Sequence, residues 1–240
     1  MAKNKKKWNW LYLLPCLLFL GGLALLVYPR MTDRLYRDEV QSQKEAFEKQ
    51  IEDEEITLPD SEDLPFEELY QELQRRNEKL YTEKQKDLAD PWSYEQPGID
   101  LTEYGLEGNI VGFISIPKME VELPILLGAS RENMAKGAVH LTQTSYPIGG
   151  QNSNSVIAAH RGYSKTDMFR HIEKLELGDE VIIENFRETL IYKVVELRVI
   201  DPTEVDQLLI QEGRDMVTLF TCHPYRHNYQ RYVVFCERKN

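Results

Sequence analysis

A mainly β fold, a mostly antiparallel barrel or sandwich, is predicted for the chain beyond Asn109. Three observations predict it. Short β-branched runs recur at Val111–Ile116, Val121–Leu126, Val156–Ala159, Glu180–Glu184, Leu190–Ile200, Val217–Thr221 and Tyr232–Cys236, with a shorter one near Ala138–His140. Turn residues separate these runs. Little helix lies between them, since only Thr166–Leu175 and Glu204–Glu212 look locally helical. Periodicity alone leaves barrel and sandwich equal.

The 240 residues carry a net charge of −11, three cysteines and 42% hydrophobic content. That is enough for one domain of ordinary size with attachments. The acidic balance argues against nucleic acid as a partner, because phosphate binding needs a basic face. Cys16, Cys222 and Cys236 are scattered and make no disulfide framework.

Taken in order, Lys3, Lys5, Lys6 and Lys7 precede an uncharged, Leu-dominated run from Trp8 to Tyr28. Its length matches the roughly 20 residues that cross a bilayer. Trp8, Trp10, Tyr12 and Tyr28 stand towards its ends, where interfacial aromatics collect. The run is long for a cleavable signal and no Ala-x-Ala-like site follows it, so residues 8–28 are predicted to be an uncleaved anchor. Residues 1–7 are then a cytoplasmic tail and the bulk of the chain lies outside, although Arg30, Arg34 and Arg37 weaken the charge asymmetry.

From 31 to about 56 the chain is charged and helix-favouring, with Tyr36, Val40, Phe47 and Ile51 on one narrow face. This pattern predicts a solvated spacer helix with a thin docking stripe. Pro59 interrupts it, and Asp60 or Ser61 is placed to cap a second helix starting near Pro65. Phe66, Leu69, Leu73 and Leu80 then recur at three- and four-residue steps, the mark of a packing helix without chemistry. It should end by Ala89, because the tripeptide Asp90-Pro91-Trp92 follows and the residue before proline leaves the helical region.

Chemistry concentrates at Met216–Tyr225. Val217 to Thr221 reads as a strand, and Cys222 falls where strand gives way to loop. If this run pairs with Tyr232–Cys236, Cys222 comes to lie close to Arg231. A fixed positive charge beside a strand-end thiol favours the thiolate that a nucleophile needs. Other readings of the same residues are an inert, small apolar cysteine, or a weak zinc site made with His223 and His227. A Cys222–Cys236 disulfide is disfavoured, because the pairing separates the two along the sheet beyond the ~7 Å Cα limit. No clustered acidic loop calls for calcium.

Thr218-Leu219-Phe220-Thr221-Cys222 with an arginine nine residues on resembles the signature of the sortases, the cysteine transpeptidases of Gram-positive cell surfaces. Ile116-Pro117-Lys118, Leu123-Pro124-Ile125, Lys136-Gly137-Ala138, Gly149-Gly150 and Ala158-Ala159-His160-Arg161-Gly162 resemble further sortase landmarks, in sortase order. From about Leu88 to Arg238 the chain is similar to that family. The resemblance implies an eight-stranded barrel over 99–240 and no cofactor or metal.

It also implies the catalytic set. Cys222 is the nucleophile, with Thr218, Leu219 and Thr221 as its supporting motif. The residues themselves offer five histidines, His140, His160, His171, His223 and His227. His160 ends an apolar strand before a glycine-containing loop, while His227 stays open by spacing. The family match selects His160, and likewise Arg231 over its neighbours Arg226 and Arg161. Asp90, Pro91 and Trp92 resemble the lid motif of class C, pilin-type sortases, so 88–98 is expected to be a lid and 29–87 an extracytoplasmic helical segment. In that group the aromatic ring covers the cysteine and the aspartate pairs with the arginine.

The implied reaction is cleavage of a Leu-Pro-x-Thr-Gly-like sorting signal between Thr and Gly, then transfer of the acyl group to an amine. The implied partners are pilin or surface proteins with C-terminal sorting signals, an acceptor amine from a pilin lysine or a cell-wall peptide, and the cytoplasmic membrane. Many pilin sortases carry a second membrane helix at the carboxyl end, whereas Asn240 stands just past the last predicted strand. A housekeeping-type sortase is therefore the alternative. A papain-like hydrolase would place its cysteine before its histidine, usually opening a helix, and the order here is reversed. A non-catalytic adhesion domain would not need Cys222, His160 and Arg231 at one point.

Overall fold

The computed structural model describes residues 10–57, 64–86, 88, 98–163 and 166–239. Every predicted strand is present: β1 (Ile110–Ile116), β2 (Val121–Leu127), β3 (Ala138–His140), β4 (Ser153–Ala158), β5 (Glu180–Asn185), β6 (Thr189–Ile200), β7 (Asp215–His223) and β8 (Gln230–Arg238). They close into a barrel in the order β1-β2-β3-β4-β7-β8-β6-β5, which decides between the two architectures the periodicity left equal. Pairs β2–β3 and β4–β7 are parallel and the other six are antiparallel.

The period-two alternation of β7 serves two cores at once. Val217 and Leu219 join Phe113, Ile125, Ile157 and Val234 in the larger cluster. Met216 and Phe220 face outward instead, into a smaller cluster with Val156, Ala158, Val233 and Met134. Cys222 continues the outward set. Two family-like motifs have a packing reason: a Cβ on Gly137 would stand 2.7 Å from the Pro124 ring, so only glycine lets these segments touch.

The N-terminal helices differ from expectation in extent. The anchor and spacer segments are one helix, α1 (Trp10–Thr57), that runs through Pro15 and Pro29. Its first part is long and apolar enough to cross a bilayer, by length and composition. The predicted docking stripe is buried on the barrel at Tyr36, Val40 and Phe47. The Tyr36 hydroxyl donates to the Lys136 carbonyl, 2.8 Å, and Phe47 meets Phe113 edge-on at 5.7 Å. Lys44 reaches Glu122 and Glu184 at 3.0 and 2.7 Å. Ion pairs of this half-exposed kind contribute about 0–1 kcal/mol each, whereas each buried apolar side chain contributes about 1.5–3 kcal/mol. The apolar stripe therefore holds the helix.

Helix α2 (Glu67–Glu83) buries Leu69 and Leu73 as predicted, with Leu80 only partly covered. It starts after Phe66, which has a left-handed backbone and gives no side-chain cap; Asp60 and Ser61 lie outside the described residues. It also stops earlier than the proline requires. Lys84 and Gln85 both have positive φ. Buried Gln85 donates to the Gln143 carbonyl (3.0 Å) and accepts from the Ile210 amide (2.6 Å), and that tertiary bridge ends the helix.

Of the two local helices predicted, only 3₁₀ turns form, at Ile172–Lys174 and Val205–Leu208. An α-helix that was not predicted also forms, α3 (Arg131–Lys136), capped by the Ser130 hydroxyl accepting from the Asn133 amide at 3.1 Å.

His140 is buried at the end of β3, its Nε2 facing the carbonyls of Thr144 (3.1 Å) and Ser145 (3.0 Å). Nε2 must carry the proton to donate there, so a neutral ring suffices. Burial lowers its pKa from 6.5 to about 4, the carbonyl contacts opposing this only in part. The unfolded chain thus binds a proton that the folded chain refuses between about pH 6.5 and 4. This contribution to stability is complete above pH 6.5 and lost as pH falls towards 4, an effect on the order of 3 kcal/mol. Urea midpoints over that range are expected to fall with acid, and His140→Gln should flatten the dependence; an unchanged slope would refute the assignment.

Candidate active site

Strand register builds the site. On β7 and β8, Cys222 is paired directly with Arg231. On the other side, β4 runs parallel to β7 with Ala158 beside Phe220. The chains stay together one residue further, where the Ala159 amide donates to the Phe220 carbonyl (3.2 Å) and the Thr221 hydroxyl donates to the Ala159 carbonyl (2.7 Å). His160 and Cys222 each stand two residues beyond the Ala158–Phe220 pair. The register therefore brings the chain positions of His160, Cys222 and Arg231 to one end of three neighbouring strands. That juxtaposition is what an adhesion domain would have no need of. The cysteine also sits on a strand, unlike the helix-opening cysteine of papain-like enzymes.

His160 is half-buried and stacks on Tyr163, ring centroids 5.2 Å apart and planes within 10°. Burial holds its pKa below the usual histidine value. Its carbonyl accepts from the Phe169 amide at 3.0 Å, which closes the loop after β4. Gly162 makes that loop possible: its φ is +90°, and a Cβ there would meet the Arg170 Nε at 2.9 Å. Arg231 is buried, with Nη1 donating to the carbonyls of Asn228 (2.8 Å) and Gln230 (3.0 Å). These bonds fix the guanidinium against the β7–β8 loop.

The supporting motif is structural. Thr218 donates to Asn154 Oδ1 at 2.7 Å, Leu219 fills the barrel interior and Thr221 ties β7 to β4. Asp90, Pro91 and Trp92 lie outside the described residues. Leu88, just before them, packs on the outer cluster that contains Phe220 and Val233.

The rival candidates go elsewhere. His223 continues β7 with its side chain on the opposite face from Cys222, so the two do not converge on one metal. There its Nδ1 accepts from Arg161 at 2.6 Å, and desolvation together with the Arg161 charge lowers its pKa. Arg161 is itself committed, to Glu173 at 2.6 Å and to the Cys222 carbonyl at 3.4 Å. His227 and Arg226 are exposed on the loop. Cys236 is buried in the interior, where burial pushes its thiol above the usual range. Cys222, Cys236 and Cys16 form no disulfide among the described residues. Sequence reasoning missed the Arg161–His223–Glu173 network and the Tyr163 stack; the signal for the first was Arg161 standing inside the His-Arg-Gly motif.

The closed eight-stranded barrel, with a cysteine, a histidine and an arginine at neighbouring strand ends, defines the class of fold to compare. The sortase domain family model matches residues 114–239. Sortase D of Bacillus subtilis is 27% identical over 134 residues, covering 55% of this chain and 65%, just under two thirds, of that protein. Sortase A of Bacillus anthracis is 26% identical over 179 residues, covering 71% of this chain and 83% of that protein. Among solved structures, sortase C1 of GBS pilus island 1 superposes with a TM-score of 0.68 at 28% identity, over 80% of this chain and 92% of that one. Sortase C-1 from Streptococcus pneumoniae gives 0.64 at 33% identity, over 80% and 98%. The chain belongs to the sortase family of cysteine transpeptidases, and its structural neighbours include class C enzymes.

Proposed function

We propose that the chain is a membrane-anchored class C sortase that joins pilin subunits through a Leu-Pro-x-Thr-Gly-like signal. The observation that supports this reading is the strand register, which pairs Arg231 with Cys222 and ends β4 beside β7 two residues before His160. The Cys222 thiolate attacks the threonine carbonyl, and Arg231 donates hydrogen bonds to the oxyanion that develops. His160 gives its proton to the departing glycine amine, which leaves a thioester. An incoming amine loses a proton to His160 and displaces the thiol. A new amide forms and the enzyme is restored. Residues 8–28 hold the enzyme in the membrane with residues 1–7 inside, and 29–87 carry the barrel of 99–240 outside.

The pilus assignment is supported by the neighbours, which include sortases C1 and C2 of Group B Streptococcus pilus island 1. Leu88 packs on the outer cluster to which Phe220 belongs, which supports 88–98 as a lid with Trp92 over Cys222 and Asp90 against Arg231. A housekeeping role, attaching surface proteins to peptidoglycan, is the second reading, because curated relatives include sortases A. Full chain in detergent, incubated with sorting-signal peptides and with either a pilin lysine peptide or a cell-wall peptide, tests both. Mass spectrometry should find the acyl group on the pilin lysine; transfer only to the cell-wall amine would favour the housekeeping role, and no cleavage would reject both.

Arg231→Ala is expected to lower kcat about 10²–10³-fold while KM changes little, as for loss of an oxyanion donor. Arg231→Lys keeps the charge but not the fork and should recover only part. An effect confined to KM would make Arg231 a binding group.

A further inference from the structure

We infer that the active-site end of the barrel faces the membrane, and that the β7–β8 loop, through Tyr225, Arg226 and Tyr229, rests on an anionic lipid headgroup layer. This inference rests on α1 being the membrane anchor. Helix α1 limits the height of the barrel. At 1.5 Å per residue, Asp33 and Asp38 lie at most about 8 and 15 Å beyond Tyr28, the end of the apolar run. A kink at Pro29, or any tilt, only shortens those distances. The headgroup layer itself is about 5–8 Å deep. Asp33 and Asp38 line one cavity, of about 390 Å³, together with Thr166 and Asp167. Those two residues belong to the loop that starts at His160 and is closed by the Phe169–His160 hydrogen bond. The loop bearing the proposed general acid therefore stands level with the first turns of α1 outside the bilayer.

Strand direction agrees. Along α1, Tyr36 meets Lys136, Phe47 meets Phe113 on β1, and the Gln50 side chain accepts from the Glu107 amide at 2.7 Å. Helix α1 thus runs antiparallel to β1, and β1 points back at the membrane. Following the pairings round the barrel, β4 and β7 share the direction of β1. Their carboxyl ends, and the β7–β8 loop beyond Cys222, project towards the lipid.

The surface presented there suits a headgroup layer. Tyr229 is 60% exposed and Tyr225 37%, and amphipathic rings of this kind settle at membrane interfaces. Arg226 and Arg170 both lie over the Tyr225 ring, at 5.4 and 5.3 Å. Arg170 is paired with Asp167, but Arg226 has no carboxylate partner among the described residues. On a chain with a net charge of −11, an exposed arginine between tyrosines is locally complementary to anionic lipid.

The test uses the full chain in phosphatidylglycerol vesicles, with a p-benzoylphenylalanine photoprobe replacing either Tyr229 or Gln151. Gln151 is exposed and precedes β4, at the opposite end of the barrel. Flotation with the vesicles reports on the anchor alone. In floated protein, light should link the 229 probe to lipid and leave the 151 probe unlinked. Adding Arg226→Glu, or replacing the anionic lipid with phosphatidylcholine, should cut the 229 adduct roughly fivefold or more. Floated protein in which neither probe, or only the 151 probe, reaches lipid overturns the inference while leaving the anchor intact. A 229 probe that links to added sorting-signal peptide instead of lipid assigns the loop to substrate and overturns it equally. Failure to float refutes the anchor, and with it this orientation.

Discussion

Cys222→Ala is expected to abolish acyl transfer, by at least about 10⁴-fold, while the barrel stays folded. Loss of a covalent nucleophile leaves only binding and electrostatic assistance, which explains the size of the effect. No other thiol can take over. Cys236 is enclosed in the interior with its pKa raised, and Cys16 lies on the apolar part of α1. Stability should change little, because Cys222 is half-exposed at the end of β7 and its backbone pairing with Arg231 does not depend on the side chain. Intact-mass detection of a peptide thioester, present in the parent and absent in the variant, checks the chemistry. Thermal unfolding checks the fold. Transfer at even a hundredth of the parental rate by the purified variant would move the nucleophile elsewhere.

His160→Gln should cost about 10²–10⁴-fold, the usual worth of a positioned acid–base group. The pH profile gives a second reading. The active form pairs a thiolate with an imidazolium, and the lower of the two macroscopic pKa values sets the acid limb. Burial lowers the His160 pKa, so the donor proton is retained only at lower pH than on a free ring. The acid limb of kcat/KM should then fall below about pH 6.5. Activity within tenfold of the parent would eliminate His160 and turn attention to His227, whose exposed ring stacks on Tyr229 at 4.9 Å.

The strands could be read because β-branched runs and turn residues are local signals. The Cys222–Arg231 pairing could be read for the same reason, since a hairpin is a local event. What escaped the reading depends on distant partners. Gln85 ends α2 through contacts with Gln143 and Ile210, at sequence separations of 58 and 125 residues, which no helix-stop rule contains. The Arg161–Cys222 and Arg161–His223 contacts span 61 and 62 residues. Thr166–Leu175 carries helix-favouring residues, yet its chain is held by the bond from Phe169 to His160 and keeps only a 3₁₀ turn. Continuity of α1 through Pro29 was likewise hidden, because proline marks a helix boundary more often than an interior. Helix α3 is the exception, since its cap, Ser130, is a local signal. Choosing His160 over His227 needed the family resemblance.

The parallel pairing of β4 with β7 bears on how the enzyme acquires reactivity. Ser153 meets Asp215 across 62 residues of intervening chain, and β5 and β6 lie inside that loop. Pairing of such range carries a large loop-closure entropy and forms late relative to hairpins such as β7–β8. Arg231 can thus reach Cys222 early, whereas His160 arrives only when the barrel closes. Until that moment the thiol has Arg231 beside it but lacks the proposed acid. Transfer activity in refolding samples should consequently appear in step with barrel closure and not with the β7–β8 hairpin. The seam between β4 and β7 is then a maturation step written into the topology.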